Sequence, residues 1–154
     1  MPTAEGLGAF PALAGLTAAQ RGVLADLSQS VSAAAGVRLF QQGQPAEHFW
    51  LIESGRVRLD TEQPAGERHL VQTLGPGDVL GWSWLVPPYR WRLDATAAEP
   101  VTAARLDAVA VRSVAERDPS FGYPLVIGLI GALLPRLHAT RARLLDLYGN
   151  PRER

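Results

Sequence analysis

Apolar positions along the chain change their period twice. Leu16, Val23, Leu24 and Leu27 fall at helical spacing. Thr17, with Gln20 three residues on, forms a capping box that opens this first helix. From Gly36 the period shortens. Residues 37–40, 49–52 and 56–59 are short strand-like runs, separated by the turn chemistry of Gln42-Gly43-Gln44-Pro45 and Glu53-Ser54-Gly55. Val57 and Leu59 alternate with Arg56, Arg58 and Asp60, which gives that strand one buried and one wet face. Residues 69–74 make a further strand that ends at Gly75-Pro76-Gly77-Asp78, and another spans about residues 101–106. Many short strands at near-regular spacing predict an antiparallel barrel or jelly roll.

From Asp107 the period lengthens again. Residues 108–117 predict a short helix ending at Asp118-Pro119. Residues 121–147 then carry Ile127, Ile130, Leu133, Leu134, Leu137, Leu144 and Leu147 in steps of three, four and seven, one face of a long helix. Pro135 is expected to kink it or mark a join, and Gly149-Asn150-Pro151 to stop it. Residues 1–15 are small and Gly-rich and are expected to be loose. Ser28, Ser30 and Ser32 read as capping and turn residues at a helix end. The expectation is one domain over residues 1–154, mainly β with flanking α: a β-roll over 36–107, C-terminal helices over 108–148 and an N-terminal helix before the roll.

Composition narrows the function. All 15 basic residues are Arg and are balanced by 15 acidic ones, so the formal charge is zero. Binding to nucleic acid or a membrane surface through bulk positive charge is therefore excluded. The absence of Cys excludes disulfides, thiol nucleophiles and Cys-ligated metal. The N-terminus lacks the charged region and apolar core of a signal peptide. The most apolar stretch, residues 123–134, contains Pro124, Gly128 and Gly131 and reads as too short for a bilayer. A cytoplasmic protein is expected. His48, His69 and His138 are at least about twenty residues apart and form no His-x-His pair, so a cupin-type metal site is not indicated. No Gly-x-Ser-x-Gly, P-loop or Gly-x-Gly-x-x-Gly is present. No catalytic role is assigned to any residue, and a non-enzymatic protein is expected.

Three segments carry a family resemblance. They are residues 40–57 with turn glycines at 43 and 55, the run Leu74-Gly75-Pro76-Gly77-Asp78-Val79-Leu80-Gly81, and Glu99-Pro100 leading through residues 101–107 into the helices. In this order they resemble the cyclic-nucleotide-binding domain, and most of all the sensor domains of Crp/Fnr-type regulators. The resemblance spans about residues 16–148. It implies a β-roll whose phosphate-binding cassette begins near Gly81, and a last helix that pairs with its two-fold mate, Arg136, Arg141 and Arg143 lying on or near its rim. It implies a homodimer and a ligand that is a cyclic nucleotide or another small anion, held against Gly81, Trp82, Ser83, Arg90, Trp91 and Arg92. Ligand contact would shift the cassette and move the helix. Nothing before Arg154 supplies a helix-turn-helix, so a stand-alone sensor without its own DNA reader is expected.

The cassette departs from the family pattern. Trp82 stands where the family has a ribose-binding Glu. The phosphate-binding Arg position falls on Trp91, and a one-residue shift would restore Arg92, or Arg90 on the other side. The expected hydroxyl residue falls near Asp94, where a carboxylate would repel a phosphate. Arg92 and Asp94 could instead form an ordinary strand ion pair. Trp82, Trp84, Tyr89 and Trp91 lie within ten residues, in a chain with 11 aromatics. Three readings stay open: the rings fill the nucleotide's space, they stack on a flat ligand beside an Arg, or they form an exposed surface for a protein partner. The alternative to a ligand-responsive sensor is thus a ligand-free interaction domain acting through the aromatic loop.

Overall fold

The structure, a computed structural model, describes residues 2–148 and the side chains of residues 2–139. Eight strands form the roll: β1 (Ser28–Ala33), β2 (Arg38–Phe40), β3 (His48–Ser54), β4 (Val57–Glu62), β5 (Arg68–Leu74), β6 (Val79–Leu80), β7 (Asp94–Ala97) and β8 (Val101–Asp107). They pair antiparallel in two four-stranded sheets, ordered β1-β8-β3-β6 and β2-β7-β4-β5. The architecture is the expected one, mainly β with an N-terminal helix and a long C-terminal helix.

Register decides what each face holds. Arg105 of β8 lies opposite both Trp50 of β3 and Gln29 of β1, and Ala103 lies opposite Ile52 and Val31. Side chains in direct register share a face, so Gln29, Val31, Trp50, Ile52, Ala103 and Arg105 all belong to one face of the first sheet. The other face buries Phe49, Leu51, Ala104 and Leu106. The short helix α3 (Ala108–Arg117) packs against β3 and β8 on that side.

Two sequence expectations are corrected near the N-terminus. Residues 1–15 are not loose where described: α1 (Ala4–Leu7) and a 3-10 turn (Pro11–Leu13) bury Leu7, Phe10 and Leu13. Three apolar anchors spaced by three outweigh the small residues between them. The roll also begins earlier than residue 36. Ser28, Ser30 and Ser32 belong to β1, whose six residues all pair with β8, although the Ser28 hydroxyl does donate to Ala25 O (2.7 Å). The helix α2 (Ala18–Asp26) starts as predicted: Thr17 Oγ1 accepts from the Gln20 N–H, and Gln20 Oε1 accepts from the Thr17 N–H.

The last helix, α4, runs unbroken over Pro119–Tyr148, so Pro135 marks no join. Each proline deprives a carbonyl four residues back of its donor. For Pro124 that carbonyl is Ser120 O, which accepts from Gln20 Nε2 at 3.1 Å instead. For Pro135 it belongs to Gly131, which is exposed to water. The helix is seated by Phe121, Leu125 and Leu129, all buried, and by Gly128, where an added β-carbon would collide with the Ala12 carbonyl oxygen. Length was misjudged as well. Pro119–Ala139 is 21 residues of helix with mean hydropathy 1.4, long and apolar enough to cross a bilayer by length and composition. Its buried side, however, packs on α3 and the 3-10 turn. Ile127, Ile130, Leu134 and Leu137 stay 41–55% exposed as an apolar stripe. The side chains of Arg141, Arg143, Leu144 and Leu147 and the stop at Gly149-Asn150-Pro151 lie outside the described residues.

Candidate functional site

The segment between β6 and β7 is pinned at both ends. A 3-10 turn (Ser83–Leu85) drives Trp84 inward, where it stacks on Phe49 (centroids 4.4 Å apart, planes 8° apart). Its indole N–H donates to Gly81 O at 3.1 Å, which satisfies the only polar atom of a fully buried ring. Arg112 of α3 holds the next stretch: its guanidinium donates to Trp84 O (2.5 Å) and lies 3.9 Å from the centre of the Tyr89 ring. Residues 89–91 then dock on the β2–β3 loop through backbone bonds from Ala46 N–H to Tyr89 O, Trp91 N–H to Gln44 O and Gly43 N–H to Trp91 O.

This docking points Trp91 into the roll. Its indole is 5% exposed, stacks on Phe40 at 3.8 Å with planes 11° apart, and sits 6.1 Å from Trp50. Gly81, at φ 104°, makes the space: an added β-carbon would lie 2.9 Å from Trp91 Cη2. The family resemblance placed the start of a phosphate-binding cassette near Gly81. In the structure the group that approaches it is the Trp91 ring.

Of the six residues singled out in the sequence, Gly81, Trp82, Ser83, Trp91 and Arg92 do come together. With Phe40, Leu59 and Leu93 they line a cavity of about 130 Å³. Arg90 is not in its wall; it donates to Gly43 O at 2.9 Å and helps fasten the loop. Trp82 is half-buried at the rim.

Asp94 belongs to neither reading considered for it. It does not line the cavity, and its partner is not Arg92. It is buried, accepts from the Gln42 N–H (2.7 Å), bonds the Arg68 guanidinium, which also reaches Asp60, and has Arg38 at 3.7 Å. Burial alone would raise its pKa. The bonds from Arg68 and Gln42, with the Arg38 and Arg68 charges, outweigh this and hold the carboxyl below its ordinary value. The cluster ties β7 to β2 and β5 through Asp94 and takes no part in the cavity.

Three contributors escaped the sequence reading. Phe40 and Trp50 make the aromatic wall against which Trp91 rests, and Arg112 clamps the loop from a helix. Trp50 falls two residues from both His48 and Ile52, so strand alternation could have placed it on their face. Arg112 had no local signal. His48 is in β3, His69 is within 3.8 Å of Glu67, and His138 is exposed on α4. Among the described residues, no three His, Cys, Asp or Glu are grouped to hold a metal.

Comparison with known proteins bears on this geometry. The cyclic nucleotide-binding domain family model matches residues 30–118. A CRP-like cAMP-activated global transcriptional regulator of Mycobacterium tuberculosis is 29% identical over 119 residues, which is 77% of this chain and 51% of that protein. The chain therefore spans about half the length of the curated relatives it matches. A solved structure from Geobacter metallireducens, described as a cyclic nucleotide-binding protein, superposes with a TM-score of 0.81 at 28% identity, covering 90% of this chain and all of that one. The N-terminal domain of a Streptomyces coelicolor transcriptional regulator shares the fold (TM-score 0.64, 24% identity, 88% of this chain and 92% of that one).

Proposed function

Because the chain belongs to the cyclic-nucleotide-binding domain family, we propose that it is a non-enzymatic regulatory module of the Crp-related kind whose nucleotide pocket is occupied by its own Trp91. One observation carries this: Trp91 lies sandwiched between Phe40 and Gly81, and what is left beside it is about 130 Å³. Pockets for drug-sized ligands run from roughly 300 Å³ upward, so a nucleotide needs the indole to leave. Leaving forfeits a stacked, buried ring, and that cost is charged against any nucleotide's affinity. The single charge in the cavity wall is Arg92, and the neutral Trp82 replaces a hydrogen-bond acceptor for ribose. The module then acts as a cytoplasmic dimer, its α4 stripe of Ile127, Ile130, Leu134 and Leu137 covered by the same stripe of a second copy.

A second reading has its own support. Gly81, Trp82, Ser83 and Arg92 still surround a cavity, so a ligand able to displace Trp91 would meet one guanidinium and one hydroxyl. Calorimetry separates the two. Titrating the full chain with cyclic AMP and then cyclic GMP to millimolar concentration should give no saturable heat. A stoichiometric isotherm with either nucleotide, lost in Arg92→Ala, would establish the second reading and refute the first.

A further inference from the structure

The wall formed by Phe40, Trp91 and Trp50 has a second side. Beyond Trp50, between the β1 and β2 edges of the two sheets, lies another cavity of about 220 Å³. Its wall is mostly apolar, with Val31, Trp50, Ile52, Leu80 and Ala103 prominent; it contains no acidic residue, and the Arg38 guanidinium that also lines it has Asp94 at 3.7 Å. Arg105 also lines it, and lines in addition an outward-facing cleft with Gln29, His48, Asp26 and Asp107. It is partly open to solvent, with Val37 at 44% exposure on its wall, and has the room of about seven waters at ~30 Å³ each.

The state of Arg105 is the notable feature. A guanidinium carries five N–H donors and prefers a planar, bidentate acceptor. Here its hydrogen-bond partner is a single neutral oxygen, Gln29 Oε1 at 2.9 Å, and no carboxylate among the described residues lies within ion-pair distance. Contrast Arg68, which bonds two carboxylates on the other sheet. His48 beside Arg105 is held below its ordinary pKa of 6.5, chiefly by burial and then by the Arg105 charge, with Asp107 and Glu47 opposing. The Arg105 charge is thus only weakly compensated at the junction of an apolar cavity and a wet cleft.

We propose that this cavity is a binding site for a compact apolar monocarboxylate, an aromatic or branched aliphatic acid, with its body against Trp50 and Ile52 and its carboxylate paired with Arg105. A monocarboxylate matches the charge better than a phosphate does: Arg38 already has Asp94 at 3.7 Å, and Asp26 and Asp107 in the adjoining cleft oppose a second negative charge near Arg105. Size decides against a nucleoside. The site does not depend on how the cassette on the far side of Trp91 is read.

The test is calorimetry on the full chain with benzoate and 3-methylbutanoate, and with benzamide as the neutral isostere. One-to-one binding of at least one acid is expected, at least tenfold tighter than benzamide. Arg105→Met should weaken it at least tenfold. Val31→Phe, on the half-buried edge strand β1, should abolish it by filling the cavity, and it decides the matter if Arg105→Met fails to fold by circular dichroism. Absence of saturable heat from both acids overturns the proposal. So does binding that survives Val31→Phe, or binding that is lost in Arg92→Ala and kept in Arg105→Met.

Discussion

Trp91→Ala is expected to lower the unfolding free energy by about 3–5 kcal/mol, the range for truncating a buried aromatic. The indole is 5% exposed, stacked on Phe40 and in contact with the space over Gly81, so its removal leaves a void that rigid strands on both sides cannot close. Urea denaturation checks this. With a slope of about 1–3 kcal/mol per molar, the midpoint should fall by at least 1 M. A loss below about 1 kcal/mol would mean that the ring packs against nothing. Trp91→Phe, which keeps a ring over Phe40, should recover much of the loss.

The second large effect concerns α4. Ile130 and Leu137 are 41% and 55% exposed on a helix whose opposite side is already buried against α3 and the 3-10 turn. Placing Glu at both positions leaves that inner packing untouched. If a second copy covers the stripe, each Glu buries a carboxylate without a partner, which costs several kcal/mol. At 1.4 kcal/mol per tenfold, the dimer dissociation constant of Ile130→Glu/Leu137→Glu should rise at least about 100-fold. Sedimentation velocity reads this directly, with circular dichroism unchanged. A wild-type chain that stays monomeric at high micromolar concentration would remove the dimer from the account.

How much was visible beforehand depends on how strongly each element is patterned. The capping box at Thr17 and Gln20, the alternation around Val57 and Leu59, and the stripe of α4 are local signals, and each appears where its period places it. The segment 28–33 hides because Ser, Gln and Ala dominate it. It is a strand through pairing with β8, a partner seventy residues away. Strand β7, Asp94-Ala95-Thr96-Ala97, is fully buried yet has no large apolar residue to announce it. The N-terminal anchors Leu7, Phe10 and Leu13 are legible only once a surface exists for them to cover.

The candidate site was legible in composition and not in direction. Four aromatics within ten residues marked the cassette, but each ring goes its own way. Trp84 turns toward Phe49, Trp91 toward Phe40, Tyr89 lies under Arg112, and Trp82 stays at the rim. The 3-10 turn sends Trp84 inward and backbone bonds to the β2–β3 loop fix Tyr89 and Trp91, and no spacing rule predicts such contacts. For the same reason Arg90 and Arg92, equivalent in sequence, part company: one fastens the loop and the other lines the cavity. Arg105 gave no sign at all, since its setting comes from three strands brought into register.

Whether Trp91 fills the pocket in solution is best measured by fluorine NMR of the 5-fluorotryptophan-labelled chain, with the Trp91 resonance assigned by Trp91→Phe. A buried ring gives a signal that is insensitive to exchanging H2O for D2O and does not move when millimolar cyclic AMP is added. A solvent-sensitive resonance that shifts and saturates with the nucleotide would place the indole outside the roll and contradict the self-occupied pocket.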